Sequence, residues 1–186
     1  MLEQKGNVFV DVGAYEGFYS LNLSRNFNRI ICYEPYPEKA DYIKEQIEKY
    51  GIKNVEVRQK ALSNYEGAAR FNVSGIFLSR NSLKDIKNIK ETITVNVTTL
   101  ALDLDVLADI DLVKIDVEGE EFEVIEGLMP IIDRVKKLIV EVHDTQEILG
   151  YNFTTYENRR SKMKRVLEGL GFKTEWLTYQ TMHAYK

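Results

Sequence analysis

VDVGAYEG, residues 10–17, is the stretch that decides the fold, because a buried strand passes there into a glycine turn and then into a helix. The apolar run that leads into it, Asn7 to Val12, is rich in Val and Phe and is typical of a strand buried on both faces. Apolar residues then recur with roughly helical spacing from Gly17 to Phe27. A ligand at such a turn can approach the backbone closely and face the free N–H groups of the helix start.

The elements that follow this turn alternate between strands and helices. Strands are predicted at 29–34 and 55–62, with a helix at 37–50 between them, an order typical of parallel strands joined by right-handed crossovers. Further strands are predicted at 68–73, 92–98, 111–117 and 138–143, a polar loop or flap at 79–90, helices at 120–128 and 156–170, and a hairpin at 172–177 and 182–185. The sequence therefore predicts a single α/β domain over residues 1–186, with a mostly parallel twisted sheet, helices on both faces and an antiparallel C-terminal hairpin.

Composition and charge limit the class of partner. The 186 residues are 44% hydrophobic and 29% charged, which is ordinary for a globular protein. The net charge is -4 and argues against a nucleic-acid partner, since phosphate binding usually needs a basic excess. No stretch is apolar enough to span a membrane, and the N-terminus lacks the layout of a signal peptide. We therefore expect a cytoplasmic protein with no membrane association.

The spacing of the glycine turn discriminates between cofactors. A dinucleotide fingerprint would need glycines where the chain has Tyr15 and Phe18, and no phosphate-binding P-loop occurs anywhere. The spacing that does occur runs from Asp11 through Gly13 to Gly17 and resembles the first motif of class I methyltransferases. In that motif the loop faces the methionine half of S-adenosylmethionine, whose ammonium the Asp11 carboxylate can meet directly or through water.

Two later segments suit the rest of that cofactor. Glu34 ends the second strand about twenty residues beyond the turn, the offset at which an acidic residue binds ribose hydroxyls. Pro35 follows it directly. Ala61 and Leu62 end the third strand, where small and apolar residues suit the flat adenine ring. The sequence therefore predicts S-adenosylmethionine as the cofactor.

An acidic segment marks the acceptor side. Asp116 and Glu118 stand two apart at one strand end, and Glu141 and His143 stand two apart at the next. In a doubly wound sheet these strands are expected to be neighbours whose carboxyl ends open onto the ligand crevice. Burying carboxylates together is costly unless they bind something or share a proton. We therefore expect these four side chains to surround the acceptor.

The chemistry of that site follows from its side chains. Methyl transfer from a sulfonium depends mainly on positioning, and a hydroxyl acceptor also loses a proton, which His143 or one of the carboxylates can take. A divalent metal bound by the same groups is the alternative, although we expect the site to work without one. Glu120, Glu121 and Glu123 are interpreted as first-turn acids favoured by the helix dipole.

Taken together, these motifs resemble the FkbM family of methyltransferases. The matching residues are Asp11-Val12-Gly13-Ala14 with Gly17, Glu34-Pro35, Ala61-Leu62-Ser63 with Gly67, Ser82-Leu83, Leu102-Asp103, Lys114-Ile115-Asp116-Val117-Glu118-Gly119 with Glu121 and Gly127, and Glu141-Val142-His143. They run in order over nearly the whole chain. The block from Asp116 to Gly119 is the most specific of them.

The resemblance implies a Rossmann-like class I methyltransferase fold and O-methylation of a small molecule or sugar with S-adenosylmethionine. The implied cofactor contacts are Asp11, Gly13, Ala14, Tyr15, Gly17, Glu34, Pro35, Ala61 and Leu62, and the implied acceptor side is Asp116, Glu118, Glu141 and His143. Two departures are visible. Members commonly have Asn where this chain has Tyr15, and many carry a longer region before the first strand, so we expect any acceptor surface built from that region to be absent. A nicotinamide-dependent reductase and a cofactor-binding module without catalysis stay open as alternatives.

Overall fold

The described part of the chain forms two sheets and five α-helices. The computed structural model describes residues 2–75, 81–84, 88–104, 108–143 and 153–186. Its strands are β1 (Gly6–Val12), β2 (Phe27–Tyr33), β3 (Val55–Arg58), β4 (Ala61–Leu62), β5 (Gly67–Ser74), β6 (Ile89–Thr98), β7 (Leu112–Ile115), β8 (Lys137–Glu141), β9 (Lys173–Trp176) and β10 (Thr181–Tyr185). Its helices are α1 (Phe18–Asn22), α2 (Pro37–Lys49), α3 (Leu100–Asp103), α4 (Glu121–Leu128) and α5 (Phe153–Gly169), and a 3-10 helix occupies Met129–Arg134.

The larger sheet has seven strands in the order β3-β2-β1-β7-β8-β10-β9. The first five are parallel, and β10 and β9 add an antiparallel hairpin at one edge. This confirms the predicted sheet, the predicted hairpin and the predicted pairing of β7 with β8. The strand order reverses at β1, which lies between β2 and β7, and ligands of open α/β sheets bind in the crevice at such a point.

Both faces of this sheet carry helices, as predicted. In β1 the side chains alternate, so Val8, Val10 and Val12 pack into one apolar cluster together with residues of α4 and α5. Phe9 points to the opposite face and packs with Leu23 and with residues of β2. Both faces of β1 are covered from Val8 to Val12, and the side chains there are apolar except for Asp11. This burial explains the apolar run seen in the sequence.

A smaller sheet of three strands, in the order β4-β6-β5, was not predicted. The prediction of one continuous strand over 55–62 is wrong, because the chain turns after Arg58, where the Lys60 amide donates to the Arg58 carbonyl at 2.9 Å. Ala61 and Leu62 then pair with β6 instead of continuing beside β2. This turn places both residues against the carboxyl end of the main sheet.

The predicted helix over 17–27 is too long. Helix α1 ends at Asn22, and Phe27 already begins β2, where its ring packs against Phe9 at a centroid distance of 5.4 Å. Tertiary packing of this aromatic pair therefore overrides the helical spacing. Residues 79–80 and 85–87 of the predicted loop at 79–90 lie outside the described residues, and its role as a flap stays a prediction. Within the described ranges, every helix falls short of the length or the apolar character that a membrane crossing requires.

Candidate active site

A cavity of about 220 Å³ lies where β1, β2 and β7 end. Its wall includes six of the predicted cofactor residues, Gly13, Tyr15, Glu34, Pro35, Ala61 and Leu62, and three of the predicted acceptor residues, Asp116, Glu118 and Glu141. Three predicted cofactor residues, Asp11, Ala14 and Gly17, and the predicted acceptor residue His143 do not line it. The structure therefore brings members of both predicted groups to one cavity. The other four predicted residues do not reach the cavity surface.

The glycine turn is shaped by the neighbouring strand end. Gly13 has φ 74°, and a Cβ at this position would lie 1.9 Å from the Asp116 carbonyl oxygen, so only glycine fits beside β7. Tyr15 also has a left-handed backbone, with φ 54°. Asn tolerates that conformation better than Tyr does, which gives a physical reason for the Asn that the resemblance leads us to expect at this position.

Asp11 is buried beneath the turn and is paired with a lysine. Its carboxylate accepts a hydrogen bond from Ser20 Oγ at 2.7 Å and lies 3.3 Å from Lys114 Nζ. The same ammonium lies 3.3 Å from Asp116 Oδ2 and donates to the Gly13 carbonyl at 3.2 Å. The predicted contact of Asp11 with the cofactor ammonium stays a prediction, since the ammonium that Asp11 contacts in the structure belongs to Lys114.

Lys114 is a site residue that sequence reasoning missed. Burial would lower its pKa, but the charges of Asp11 and Asp116 outweigh burial and raise the pKa of its ammonium, which therefore stays protonated. Its ammonium links the glycine turn to the acceptor side, because it contacts both the Gly13 carbonyl and the Asp116 carboxylate. The available signal was a lone lysine in the otherwise apolar strand β7.

Glu34 is buried in the cavity wall, with only 5% of its surface exposed. Its two carboxylate oxygens accept hydrogen bonds from the backbone amides of Tyr15 and Tyr36, both at 2.8 Å. Burial raises the pKa of Glu34 to about 7, although the two amides oppose that shift. Each oxygen keeps lone pairs that can accept from a ligand hydroxyl group.

The positive charge of Lys60, on the cavity wall, is balanced within the protein. Lys60, the one basic side chain that the described residues place on the cavity wall, is paired with Asp103. Asp103 also accepts from Arg58 at 3.0 Å and from the Tyr33 hydroxyl at 3.0 Å. The cation therefore has an anionic partner already, and the described part of the wall offers no unpaired basic side chain to a phosphate.

The four predicted acceptor residues converge on one point. His143 Nε2 lies 3.7 Å from Asp116 Oδ1, 3.7 Å from Glu118 Oε2 and 3.8 Å from Glu141 Oε1. These strand ends meet because β7 and β8 are adjacent and parallel, as the sequence indicated. His143 itself is 9% exposed and lies behind the carboxylates rather than on the cavity wall.

Glu121 holds the histidine from the other side. Its Oε1 atom lies 2.8 Å from His143 Nδ1 and accepts from the Gly119 amide at 2.8 Å, while Oε2 lies 2.9 Å from Arg159 Nη2. The side chain is fully buried. Sequence reasoning interpreted Glu121 as a first-turn acid, and its place at the start of α4 agrees with that, but its partnership with His143 depends on a long-range contact that the sequence did not reveal.

Burial and neighbouring charges shift the pKa values of this cluster. Burial would lower the pKa of His143, but the hydrogen bond to Glu121 and the charges of Glu118 and Asp116 raise it to about 10. Burial and the charge of Asp116 both raise the pKa of Glu141. A protonated imidazole cannot accept a further proton, so the carboxylates are the groups of this cluster that can do so.

Comparison with known proteins supplies the family. The FkbM domain of methyltransferases matches residues 11–173, whereas no curated protein matches the chain at a significant level. Methyltransferase FkbM from Methylobacillus flagellatus KT superposes with a TM-score of 0.64 at 14% identity, over 97% of this chain and 44% of that one. This chain therefore spans less than half the length of that protein.

Two further solved structures share the fold. The precorrin-6y C5,15-methyltransferase from Geobacter metallireducens superposes with a TM-score of 0.56 at 17% identity, over 100% of this chain and 83% of that one. SMU.1697c from Streptococcus mutans, solved in complex with SAH, superposes with a TM-score of 0.57 at 11% identity, over 97% of this chain and 88% of that one. These likenesses establish the class I methyltransferase fold, and the family match over 11–173 shows that the chain belongs to the FkbM methyltransferase domain family.

Proposed function

We propose that the chain transfers the methyl group of S-adenosylmethionine to a hydroxyl oxygen of a small molecule or sugar. The observation that carries this proposal is the single cavity shared by Glu34 and by the carboxylates of Asp116 and Glu141. A methyl donor and its acceptor must meet within bonding reach. One cavity that is lined both by cofactor-side and by acceptor-side residues satisfies that requirement.

The chemistry of the wall fits this cofactor. Glu34 offers buried carboxylate lone pairs to a ribose diol, and Ala61 and Leu62 offer apolar surface to an adenine ring. Lys60 is already paired, so the wall is poorly suited to the phosphates of a dinucleotide. When bound, S-adenosylmethionine supplies a methyl group activated by its sulfonium. The nicotinamide alternative is not favoured by the family match, and the cluster of carboxylates supports catalysis over a module that only binds the cofactor.

Each group of side chains has a separate task in this proposal. The glycine turn and Glu34 bind and orient the cofactor, with Lys114 holding the turn against β7. Asp116 and Glu141 face the acceptor, and one of their carboxylate oxygens takes the hydroxyl proton as the oxygen is methylated. We also propose that residues 1–186 form one methyltransferase domain, since the main sheet combines β1 with β10 from opposite ends of the chain. The expected cytoplasmic location stays a prediction from the sequence.

The test is product identification. The purified chain is incubated with S-adenosylmethionine that carries a ¹³C-labelled methyl group and with a panel of sugars, polyols and hydroxylated natural products. Matched amines and thiols serve as the comparison panel. We expect a labelled methyl ether, recognised by its carbon chemical shift. Labelled N-methyl or S-methyl products, with no methyl ether, would contradict O-methylation and leave the methyltransferase activity standing.

Cofactor affinity is expected to depend on pH through Glu34. The raised pKa of about 7 means that the protonated form predominates below that pH, whereas binding two ribose hydroxyls favours the carboxylate. Affinity for S-adenosylhomocysteine should therefore fall as the pH drops from 8 to 6, by up to about tenfold if only the carboxylate form binds. Calorimetry at both pH values measures this. The Glu34→Gln variant should bind weakly with little pH dependence, and an equal pH dependence in that variant would assign the effect to another group.

A further inference from the structure

The histidine of the acceptor cluster turns one ring nitrogen toward three carboxylates. Within the described residues, His143 Nε2 has three carboxylate oxygens at 3.7–3.8 Å, which is beyond hydrogen-bond distance. The side chain is nevertheless about nine-tenths buried and aimed at the point between Asp116 and Glu118. The nitrogen and the carboxylate oxygens therefore surround one point, and the described residues show no direct hydrogen bond between them.

The spacing of the surrounding atoms suits an ion. One atom each from Asp116, Glu118 and His143 lies within 4.8 Å of the others. Two ligands that are each about 2.1 Å from a divalent ion lie about 3–4 Å apart, depending on the angle between them. The observed distances of 3.7 Å from His143 Nε2 to Asp116 and to Glu118 fall in that range.

The other ring nitrogen of His143, Nδ1, is held by a carboxylate, as is usual for histidines that bind a metal. Histidines that bind a metal through one nitrogen usually donate the other N–H to a carboxylate, which sets the orientation of the ring. Here His143 Nδ1 lies 2.8 Å from Glu121, which is fully buried and is itself held by Arg159 and by the Gly119 amide. Glu121 is not among the atoms that face Nε2, so this support is an observation separate from the cluster itself.

We propose that Asp116, Glu118 and His143 bind a divalent cation on the acceptor side of the cavity, with Glu141 facing the same ion. Two or three carboxylates with one imidazole form a donor set that suits Mn²⁺. Asp116 and Glu118 lie on the cavity wall, so the open coordination positions face the space where an acceptor oxygen would bind. Only that role in acceptor binding rests on the proposed methyl transfer.

The test uses Mn²⁺ itself as the probe. The full chain is stripped with chelator and titrated with Mn²⁺ by calorimetry, and the loss of the free-ion signal is followed by electron paramagnetic resonance. We expect one Mn²⁺ per chain, with affinity at least about tenfold weaker in Glu118→Gln and in His143→Ala. The matched control is His183→Ala, which removes the other histidine, one that contacts Glu175 on the hairpin, and should leave binding unchanged.

Two outcomes overturn this proposal. One is folded wild-type chain that does not bind Mn²⁺, and the other is equal binding in wild type and Glu118→Gln, whose near-identical shape guards against misfolding. S-adenosylhomocysteine binding is measured on the same samples. Binding of that ligand without Mn²⁺ removes the cation site alone, whereas Mn²⁺ binding without it removes the proposed methyl transfer alone.

Discussion

Replacement of Asp116 by Asn is expected to lower turnover by about 10²–10⁴-fold, the range by which a positioned acid or base accelerates proton transfer. Asn keeps the shape of the side chain and removes the negative charge that faces the cavity, Lys114 and His143. Affinity for S-adenosylhomocysteine should stay nearly unchanged, because Glu34 and the glycine turn are expected to hold the cofactor. Turnover is measured with an acceptor identified by product analysis, and affinity by calorimetry.

The matched control for this variant is Asp133→Asn, which makes the same chemical change at a fully exposed side chain that does not line the cavity. It should leave both turnover and affinity at wild-type values. His143→Ala should resemble Asp116→Asn, with reduced turnover and retained cofactor affinity. If Asp116→Asn and His143→Ala lose cofactor affinity as strongly as turnover, the division of the cavity into a cofactor side and an acceptor side is wrong.

Replacement of Gly13 by Ala should both destabilise the protein and abolish cofactor binding. The new Cβ would lie 1.9 Å from the Asp116 carbonyl oxygen, a backbone atom that cannot move without displacing the end of β7. The residue would also carry a side chain at φ 74°. Steric overlap and the left-handed backbone together should cost about 2–5 kcal/mol in the free energy of unfolding. Denaturant unfolding measures this cost, and calorimetry measures the loss of binding.

Gly51→Ala separates the two contributions. Gly51 has φ 62°, much like Gly13, but a Cβ there would meet nothing within 4 Å. Only the backbone cost of about 1–2 kcal/mol should therefore appear, with cofactor binding intact. Equal destabilisation by the two substitutions would show that contact with β7 does not explain the glycine at position 13.

Much of the main sheet could be predicted because its strands are marked by short-range pattern. A strand covered on both faces reads as a continuous apolar run, and β1 shows this clearly. The same reasoning placed Asp116 and His143 together, since parallel neighbouring strands end at the same edge of a sheet. Local pattern and known crossover rules were sufficient for both conclusions.

The small sheet was not predicted because its pairing is non-local. Ala61 and Leu62 look like the end of β3, and only their contact with β6, more than thirty residues later, separates them from it. The roles of Lys114 and Glu121 in the site were not predicted for a related reason. Each is a charged residue whose burial makes sense only with its partner present, Asp11 for the first and His143 for the second. Sequence periodicity indicates which face is buried, but it does not identify the opposite charge that makes burial of an ion possible.

The most direct test is a calorimetric titration of the purified chain with S-adenosylmethionine and S-adenosylhomocysteine, beside Glu34→Ala, an exposed-residue control Glu48→Ala, and NADH. We expect micromolar binding of both adenosyl ligands by wild type and by the control, and no binding of NADH. Glu34→Ala should bind at least about tenfold more weakly, because a hydrogen bond to a charged group contributes about 1.5–3 kcal/mol. Failure of folded wild-type chain to bind either adenosyl ligand would contradict the assignment of this cavity, and NADH binding in their place would make a reductase the leading interpretation.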